Sequence, residues 1–227
     1  EYVLIPGSVW AEIFSLGGNM VQNSAKHLII GGGIIGCSIA YHLSRMGEKD
    51  VCLLERANLT EGATWHAAGL VGQLRSSRNT TRMLKKSVEM YDRLQRQEGL
   101  KFDWKKTGSL RLAATKERML EARRLATMAR SFDLEMHIIS PSEAKQLFPL
   151  IEQNGLEGAA FIPSDGYVDP ASLCQAIASA ARKQGVDIRQ RVEALDFNGT
   201  NGRITSVETT EGRWDAENVI FATGMWS

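Results

Sequence analysis

The stretch that most constrains this chain is Lys26–Glu55, KHLIIGGGIIGCSIAYHLSRMGEKDVCLLE. Lys26–Ile30 is a short apolar run with strand character, and Gly31-Gly32-Gly33-Ile34-Ile35-Gly36 supplies a G-x-G-x-x-G. A helical period follows, with Ile35, Ile39, Leu43 and Met46 predicted on one face, and Gly47 is a natural stop. A second apolar run, Val51–Leu54, ends on an acid, Glu55. The three motif glycines do different things. Gly31 permits a tight turn, Gly33 lets a pyrophosphate approach the backbone, and Gly36 lets helix pack on strand. The helix start at Ile34 and Ile35 offers N–H groups and a positive dipole end to phosphates. Glu55 falls 19 residues after Gly36, where a carboxylate can accept the hydroxyls of an adenosine ribose. A lone glycine motif is weak, but strand, turn, helix, strand and acid occur here in order. The stretch reads as a dinucleotide site.

The rest of the composition narrows the class. The 227 residues carry a net charge of +1, so there is no bulk electrostatic case for nucleic acid or an anionic membrane. Cys37, Cys52 and Cys174 show neither C-x-x-C nor metal spacing, which reads as buried thiols in a reducing compartment. His27, His42, His66 and His137 lack H-x-x-x-H spacing, and no metal site is expected. No apolar run approaches the roughly 20 residues that span a bilayer.

After Glu55-Arg56 comes a stretch rich in small residues: Gly62, Ala63, Thr64, Trp65, His66, Ala67, Ala68, Gly69 and Leu70. Small side chains let backbone run beside a flat cofactor. His66 is the histidine in a loop; His27 begins a strand, His42 lies mid-helix and His137 sits in a short apolar strand. Further on, Asn79–Gln97 is predicted helical with Met83, Val88, Tyr91 and Leu94 on one face. A strand is expected over Thr107–Ala113, a helix over Glu117–Phe132 and a strand over Glu135–Ile139. Ser140-Pro141-Ser142-Glu143 is a capping box with proline first. Asp169-Pro170 opens a helix in the same manner, with Leu173, Ile177, Ala180 and Ala181 facing inward. Val186–Ile188 is predicted as a strand. Val192–Phe197 and Ile204–Thr209 are expected to pair across Asn201-Gly202. Asn218–Ala222 delivers Thr223-Gly224. Arg75 and Arg78 are candidates to hold a substrate carboxylate, with surface or phosphate contacts as the plainer use.

Glu55-Arg56 followed by Leu59-Thr60-x-Gly62-x-Thr64-Trp65-His66-Ala67-Ala68-Gly69-Leu70 resembles the flavin-attachment loop of the dimethylglycine and sarcosine dehydrogenase family. These are FAD enzymes of the wider D-amino-acid oxidase and glycine oxidase superfamily. The similarity continues through Gly108–Ala113, Phe148-Pro149-Leu150, Ile162–Pro170 and Ala222-Thr223-Gly224-Met225-Trp226, covering nearly all of the chain from Lys26. In that family the histidine of the loop bonds covalently to the flavin, which carries over to His66 alone. The resemblance also implies that the backbone of Val192 meets the adenine, and that Ala222, Gly224 and Trp226 lie beside the cofactor.

The implied architecture is α/β: a Rossmann-like FAD-binding domain, 20–75 with 169–227, interrupted by an α+β substrate domain, 76–168, of the glycine oxidase type. Residues 1–19 read as a non-native or disordered leader. They carry two acids and no base, which suits no targeting peptide, and Gly17-Gly18-Asn19 before Met20 is what a translated ribosome-binding sequence gives. Relatives continue beyond the position of Ser227, so the chain is expected to be an N-terminal portion, truncated at its C-terminus and inactive alone. The implied reaction moves a hydride from the N-methyl carbon of a sarcosine- or dimethylglycine-like amino acid to flavin N5. The iminium is hydrolysed to formaldehyde or passed to tetrahydrofolate, and oxygen or an electron-transfer protein takes the electrons. The setting is cytoplasmic, or the mitochondrial matrix in a eukaryote. Alternatives are a regulatory relative without turnover, an oxidase of another secondary amine, and, from the glycine motif alone, a nicotinamide-dependent dehydrogenase.

Overall fold

Val51–Leu54 is apolar at every position, which suits a strand covered on both faces, and in the computed structural model all four residues are buried. The structure describes residues 23–226; the leader 1–19 and the start at Met20 lie outside them. In chain order the elements are β1 (Asn23–Ile30), α1 (Ile34–Arg45), β2 (Val51–Glu55), β3 (Leu70–Val71), α2 (Arg78–Arg96), β4 (Trp104–Lys105), β5 (Ser109–Ala113), α3 (Lys116–Arg130) and β6 (His137–Ile139). There follow α4 (Pro141–Leu147), β7 (Gly158–Ile162), β8 (Gly166–Val168), α5 (Pro170–Lys183), β9 (Asp187–Gln190), β10 (Ala194–Thr200), β11 (Arg203–Thr209), β12 (Gly212–Phe221) and a 3-10 turn over Gly224–Trp226. They divide into two compact units. One runs to Glu61 and resumes at Ala181; the other is Gly62–Ala180.

The first unit is a six-stranded sheet in the order β10-β11-β12-β1-β2-β9. β12, β1, β2 and β9 are parallel, while β10, β11 and β12 form an antiparallel meander. Ile30 is in register with both Leu54 and Phe221. The carboxyl ends of three strands therefore finish side by side, at the edge where open α/β sheets bind ligands. Leu28, Ile29, Leu53 and Val207 are fully buried, each stabilising the fold by about 1.5–3 kcal/mol relative to exposure. Asn201 and Gly202, at φ 55° and 75°, make the mirror-image turn that matches strand twist between β10 and β11.

The α1 face differs from expectation. Gly36, Cys37, Ala40 and Tyr41 are its buried residues, whereas Ile35 is 62% and Met46 80% exposed. Small side chains bring the helix close to the sheet, which outweighs the larger apolar area of the isoleucine stripe. The second unit holds two antiparallel sheets, β3-β8-β4 and β5-β7-β6. Leu74, Ala129, Leu134 and Ile162 form one core there, and Ala144, Ile151 and Ala159 another. Asp92 on α2 accepts from Trp104 Nε1 at 3.0 Å and Lys106 Nζ at 2.6 Å, fastening α2 to β4. On α2 the expected Val88 and Leu94 are buried, joined by Thr81, whereas Met83 is exposed. The capping box is present: Ser140 Oγ accepts from Glu143 N–H and Glu143 accepts from Ser140 N–H. Asp169 Oδ1 accepts from Ser172 N–H at 2.6 Å, capping α5. Expected strands at Thr107 and Glu135 begin instead at Ser109 and His137.

Candidate functional site

The glycine turn stands at the carboxyl edge of the large sheet. Gly31 N–H donates to Leu54 O and Ala222 N–H donates to Ile30 O, both at 2.8 Å. The turn is thus held between the ends of β2 and β12. Gly31 has φ +113°, and a Cβ there would run into the Ala222 carbonyl. A Cβ on Gly36 would overlap the Gly31 carbonyl. Both positions admit glycine alone on steric grounds. Gly33 is the N-cap of α1 with no side-chain cap, and the first helical turn holds no acid. The positive end of the helix dipole is thus not offset by a side chain of the helix itself.

Glu55 is turned back onto this structure. Its Oε2 accepts from Gly32 N–H at 2.6 Å and its Oε1 from Ala57 N–H at 2.9 Å. A carboxylate has about four lone-pair sites, so two acceptor positions remain. The next residues fold under the turn: Thr60 N–H donates to Gly32 O, and Leu59 N–H to Gln190 Oε1. Val192 is buried, and its N–H donates to the Glu55 carbonyl at 2.9 Å. A contact of Val192 backbone with a base therefore falls to its carbonyl, which narrows the expectation for that residue. Arg56 lies over the Trp226 ring, 4.5 Å from its centroid, and Gly224, two residues before Trp226, takes φ +67°.

The second unit carries the histidine loop. Thr64 is buried, whereas Trp65, His66, Ala67 and Ala68 are exposed. The Trp65 and His66 rings lie 3.9 Å apart at 36°, so Trp65 is a wall for the imidazole. Gly69 has φ +73°, and a Cβ there would meet the Val168 carbonyl. Gly62 and Ala63 enter the loop, and Leu70 leaves it through β3, 82% exposed.

The family model described as FAD dependent oxidoreductase matches residues 26–227. The chain belongs to that family. It is 36% identical over 206 residues to dimethylglycine dehydrogenase, mitochondrial, of Rattus norvegicus, spanning 91% of this chain and 24% of that one. It is 35% identical over 215 residues to sarcosine dehydrogenase, mitochondrial, of Mus musculus, with 91% and 23% covered. The pyruvate dehydrogenase phosphatase regulatory subunit, mitochondrial, of Mus musculus is also 35% identical, over 203 residues, with 89% and 23% covered. Among solved structures, L-proline dehydrogenase from P. horikoshii superposes with a TM-score of 0.85 at 29% identity, over 91% of this chain and 54% of that one. The fold is the FAD-binding fold of this family. The chain spans about a quarter of the length of the curated relatives it matches.

The residues fit the dinucleotide of an FAD dependent oxidoreductase. The turn packs this tightly only because Gly31 and Gly36 lack Cβ atoms, the helix start has no side-chain cap, and the Glu55 carboxylate at the same edge accepts from Gly32 and Ala57 with capacity to spare. The two arginines singled out from sequence part company. Arg75 Nη1 donates to Leu74 O at 2.9 Å, while Arg78 opens α2 and lines a separate groove with Arg82 and Lys86. Arg111, missed in the sequence, is the partner Arg75 acquires. Its Nη2 donates to the same Leu74 carbonyl at 3.4 Å. In the sequence Arg111 sits in an alternating strand 36 positions away, and only the β5 register brings it there. Two guanidinium groups thus meet at one backbone carbonyl.

His27 and His137 are structural: each ring meets a carboxylate, Glu48 at 3.1 Å and Glu135 at 2.8 Å. None of the three cysteines is in a disulfide, and all three are buried. Among the described residues no group of three His, Cys, Asp or Glu is placed to hold a metal. No helix among them is long and apolar enough to cross a membrane.

Proposed function

We propose that the protein is an FAD-dependent amine oxidoreductase that demethylates an N-methylated amino acid of the sarcosine or dimethylglycine type. The observation that carries this reading is the intact loop from Thr64 to Leu70, which leaves the His66 ring exposed and backed by Trp65. When bound, FAD supplies the two-electron acceptor for the N-methyl carbon. Gly31, Gly33, Gly36 and the N–H groups at Ile34 and Ile35 hold the pyrophosphate. Glu55 takes the ribose hydroxyls, Val192 offers its carbonyl to the adenine, and Arg56 with Trp226, Ala222 and Gly224 borders the cofactor. His66 would carry the flavin covalently: an unprotonated imidazole nitrogen would bond to the C8 methyl carbon. The displaced C–H and N–H protons would leave to solvent, and the electron pair of the broken C–H bond would pass into the flavin for oxygen or the electron-transfer protein to remove. Gly62, Ala63, Ala67, Ala68 and Gly69 leave room beside it. Arg75 and Arg111 orient the substrate by its carboxylate.

The likeness to the two dehydrogenases supports an N-methyl amino acid as substrate. Tetrahydrofolate as one-carbon acceptor, and oxygen or an electron-transfer protein as oxidant, follow from the same resemblance. The setting would be the cytoplasm, or the mitochondrial matrix in a eukaryote. A regulatory relative without turnover is the second reading, favoured by the 35% identity to the phosphatase regulatory subunit. The complete protein, supplied separately with sarcosine, dimethylglycine and methylaminobutyrate, separates the two. Formaldehyde release with reduction of an artificial acceptor is expected from at least one of them. A protein that binds FAD yet turns over none of the three supports the regulatory reading.

A further inference from the structure

Asp165 lies in the turn between β7 and β8 and is 1% exposed; every other carboxyl-bearing residue among the described residues is more exposed. Its Oδ1 accepts from the Gln73 backbone N–H at 3.0 Å and from Gln73 Nε2 at 2.9 Å. Its Oδ2 accepts from Ser109 Oγ at 2.6 Å. Gln73 is itself 3% exposed, and its Nε2 also donates to Ser164 Oγ at 2.8 Å. The Asp165 carbonyl accepts from Gly108 N–H at 2.8 Å. A carboxyl group in such a place needs several donors to offset the lost water, and hydrogen bonds to a charged acceptor are about twice as strong as neutral ones.

What those donors belong to gives the cluster its meaning. Gln73 ends the arm by which the chain leaves the histidine loop, and Ser109 starts β5. The same arm is sealed onto the strand that follows Asp165: Val71 pairs with Gly166, Leu70 with Tyr167, and Val168 N–H donates to Gly69 O at 2.9 Å. On its other side β8 pairs with β4, and a Cβ on Gly166 would run into the Lys105 carbonyl. The exposed tip Trp65–Ala68 therefore springs from an arm fixed at every residue from Gly69 to Gln73 except Gly72, with Asp165 as its last fastening. The tip has the buried Thr64 as its other anchor.

We propose that Asp165 is a positioning residue for His66: its carboxylate, through Gln73, sets the place and direction of the loop that presents the imidazole. This rests on the reading that His66 carries the flavin. The donors to this buried carboxylate come from the loop arm and from β5, so its charge ties the two together. Covalent attachment depends steeply on placement, since a displacement of about 1 Å can slow a positioned reaction roughly a hundredfold.

The test compares the complete protein with Asp165→Ala, Asp165→Asn and Ser109→Ala, and with Val88→Ala as a control that loosens the same unit from α2. Each apoprotein is mixed with FAD, and flavin that stays on the protein after acid precipitation is followed in time alongside the melting temperature. Asp165→Ala is expected to slow attachment about tenfold or more. Asp165→Asn, which can keep both bonds from Gln73, should lie between it and wild type, and Ser109→Ala should show a milder slowing should the Asp165 variants fail to fold. Val88→Ala should stay within about twofold at a comparable loss of melting temperature. Attachment at the wild-type rate in the variants that fold overturns the proposal, as does equal slowing in Val88→Ala. Wild-type protein that retains no flavin in acid is instead a failure of the His66 reading. Amide hydrogen exchange at Leu70–Gln73 then reads the fastening without flavin: faster exchange in Asp165→Asn or Ser109→Ala supports it, and unchanged exchange removes it.

Discussion

At the scale of single residues, Glu55 shows how one side chain can close a turn and still have acceptors to spare. Its carboxylate closes the glycine turn through Gly32 and Ala57 and has further lone-pair sites, which the proposed function gives to a ribose. Glu55→Ala should weaken FAD retention by about 1.5–3 kcal/mol, roughly tenfold or more in affinity; wild-type loading in that variant removes Glu55 from the site. The glycines and this acid are legible from sequence because each answers a local steric or charge demand at a fixed spacing. Arg111 is not, because its meeting with Arg75 at Leu74 depends on strand register across distant segments. Asp165 is equally silent in sequence: an acid before a glycine reads as a turn, and only burial shows otherwise. Among the thiols, burial pushes Cys52 up to about 12, with Asp187 adding to it. Cys37, Cys52 and Cys174 should therefore resist a thiol reagent in the native protein near pH 8 and react on unfolding. Fast labelling of native Cys52 contradicts this.

At the scale of elements, the starts are better written than the faces. Ser140 and Asp169 cap α4 and α5 in the positions their motifs require. Asp169→Ala should destabilise the fold by about 1 kcal/mol, seen as a lower denaturation midpoint with unchanged slope; an unchanged midpoint rejects the cap. The α1 face is the opposite case, because hydrophobic period alone favours Ile35 and Met46 while close packing selects Gly36, Cys37 and Ala40. β1 is fastened to the turn before β2 by Glu48, which accepts from Lys26 Nζ at 2.6 Å and contacts His27 Nε2 at 3.1 Å. The Lys26 hydrogen bond, then that of His27, holds the Glu48 carboxyl below its ordinary value of 4.5. A depressed folded-state value gives stability that is present above 4.5 and is lost as pH falls through the folded value. Glu48→Gln should therefore flatten the fall in stability below about pH 4.5. An identical pH profile for the variant rules the link out.

At the scale of the whole molecule, sequence and structure agree on an α/β fold and on membership of the FAD dependent oxidoreductases, while the two compact units change over at Glu61/Gly62 and Ala180/Ala181, away from the expected 75/76 and 168/169. The α/β alternation and the glycine turn carry the first, because parallel strands and crossover helices follow from local patterns. The boundary at Glu61/Gly62 is less legible: the histidine loop continues from Glu55 without a break in composition, yet it packs with the strands that follow it. The central claim is that this loop holds the flavin through His66, and one measurement tests it most directly. The complete protein is denatured in acid and digested, and the yellow fraction is sequenced. The account predicts that colour stays with the protein on the peptide containing His66, and that His66→Ala releases it or leaves the protein colourless. Wild-type FAD washing into the supernatant contradicts it.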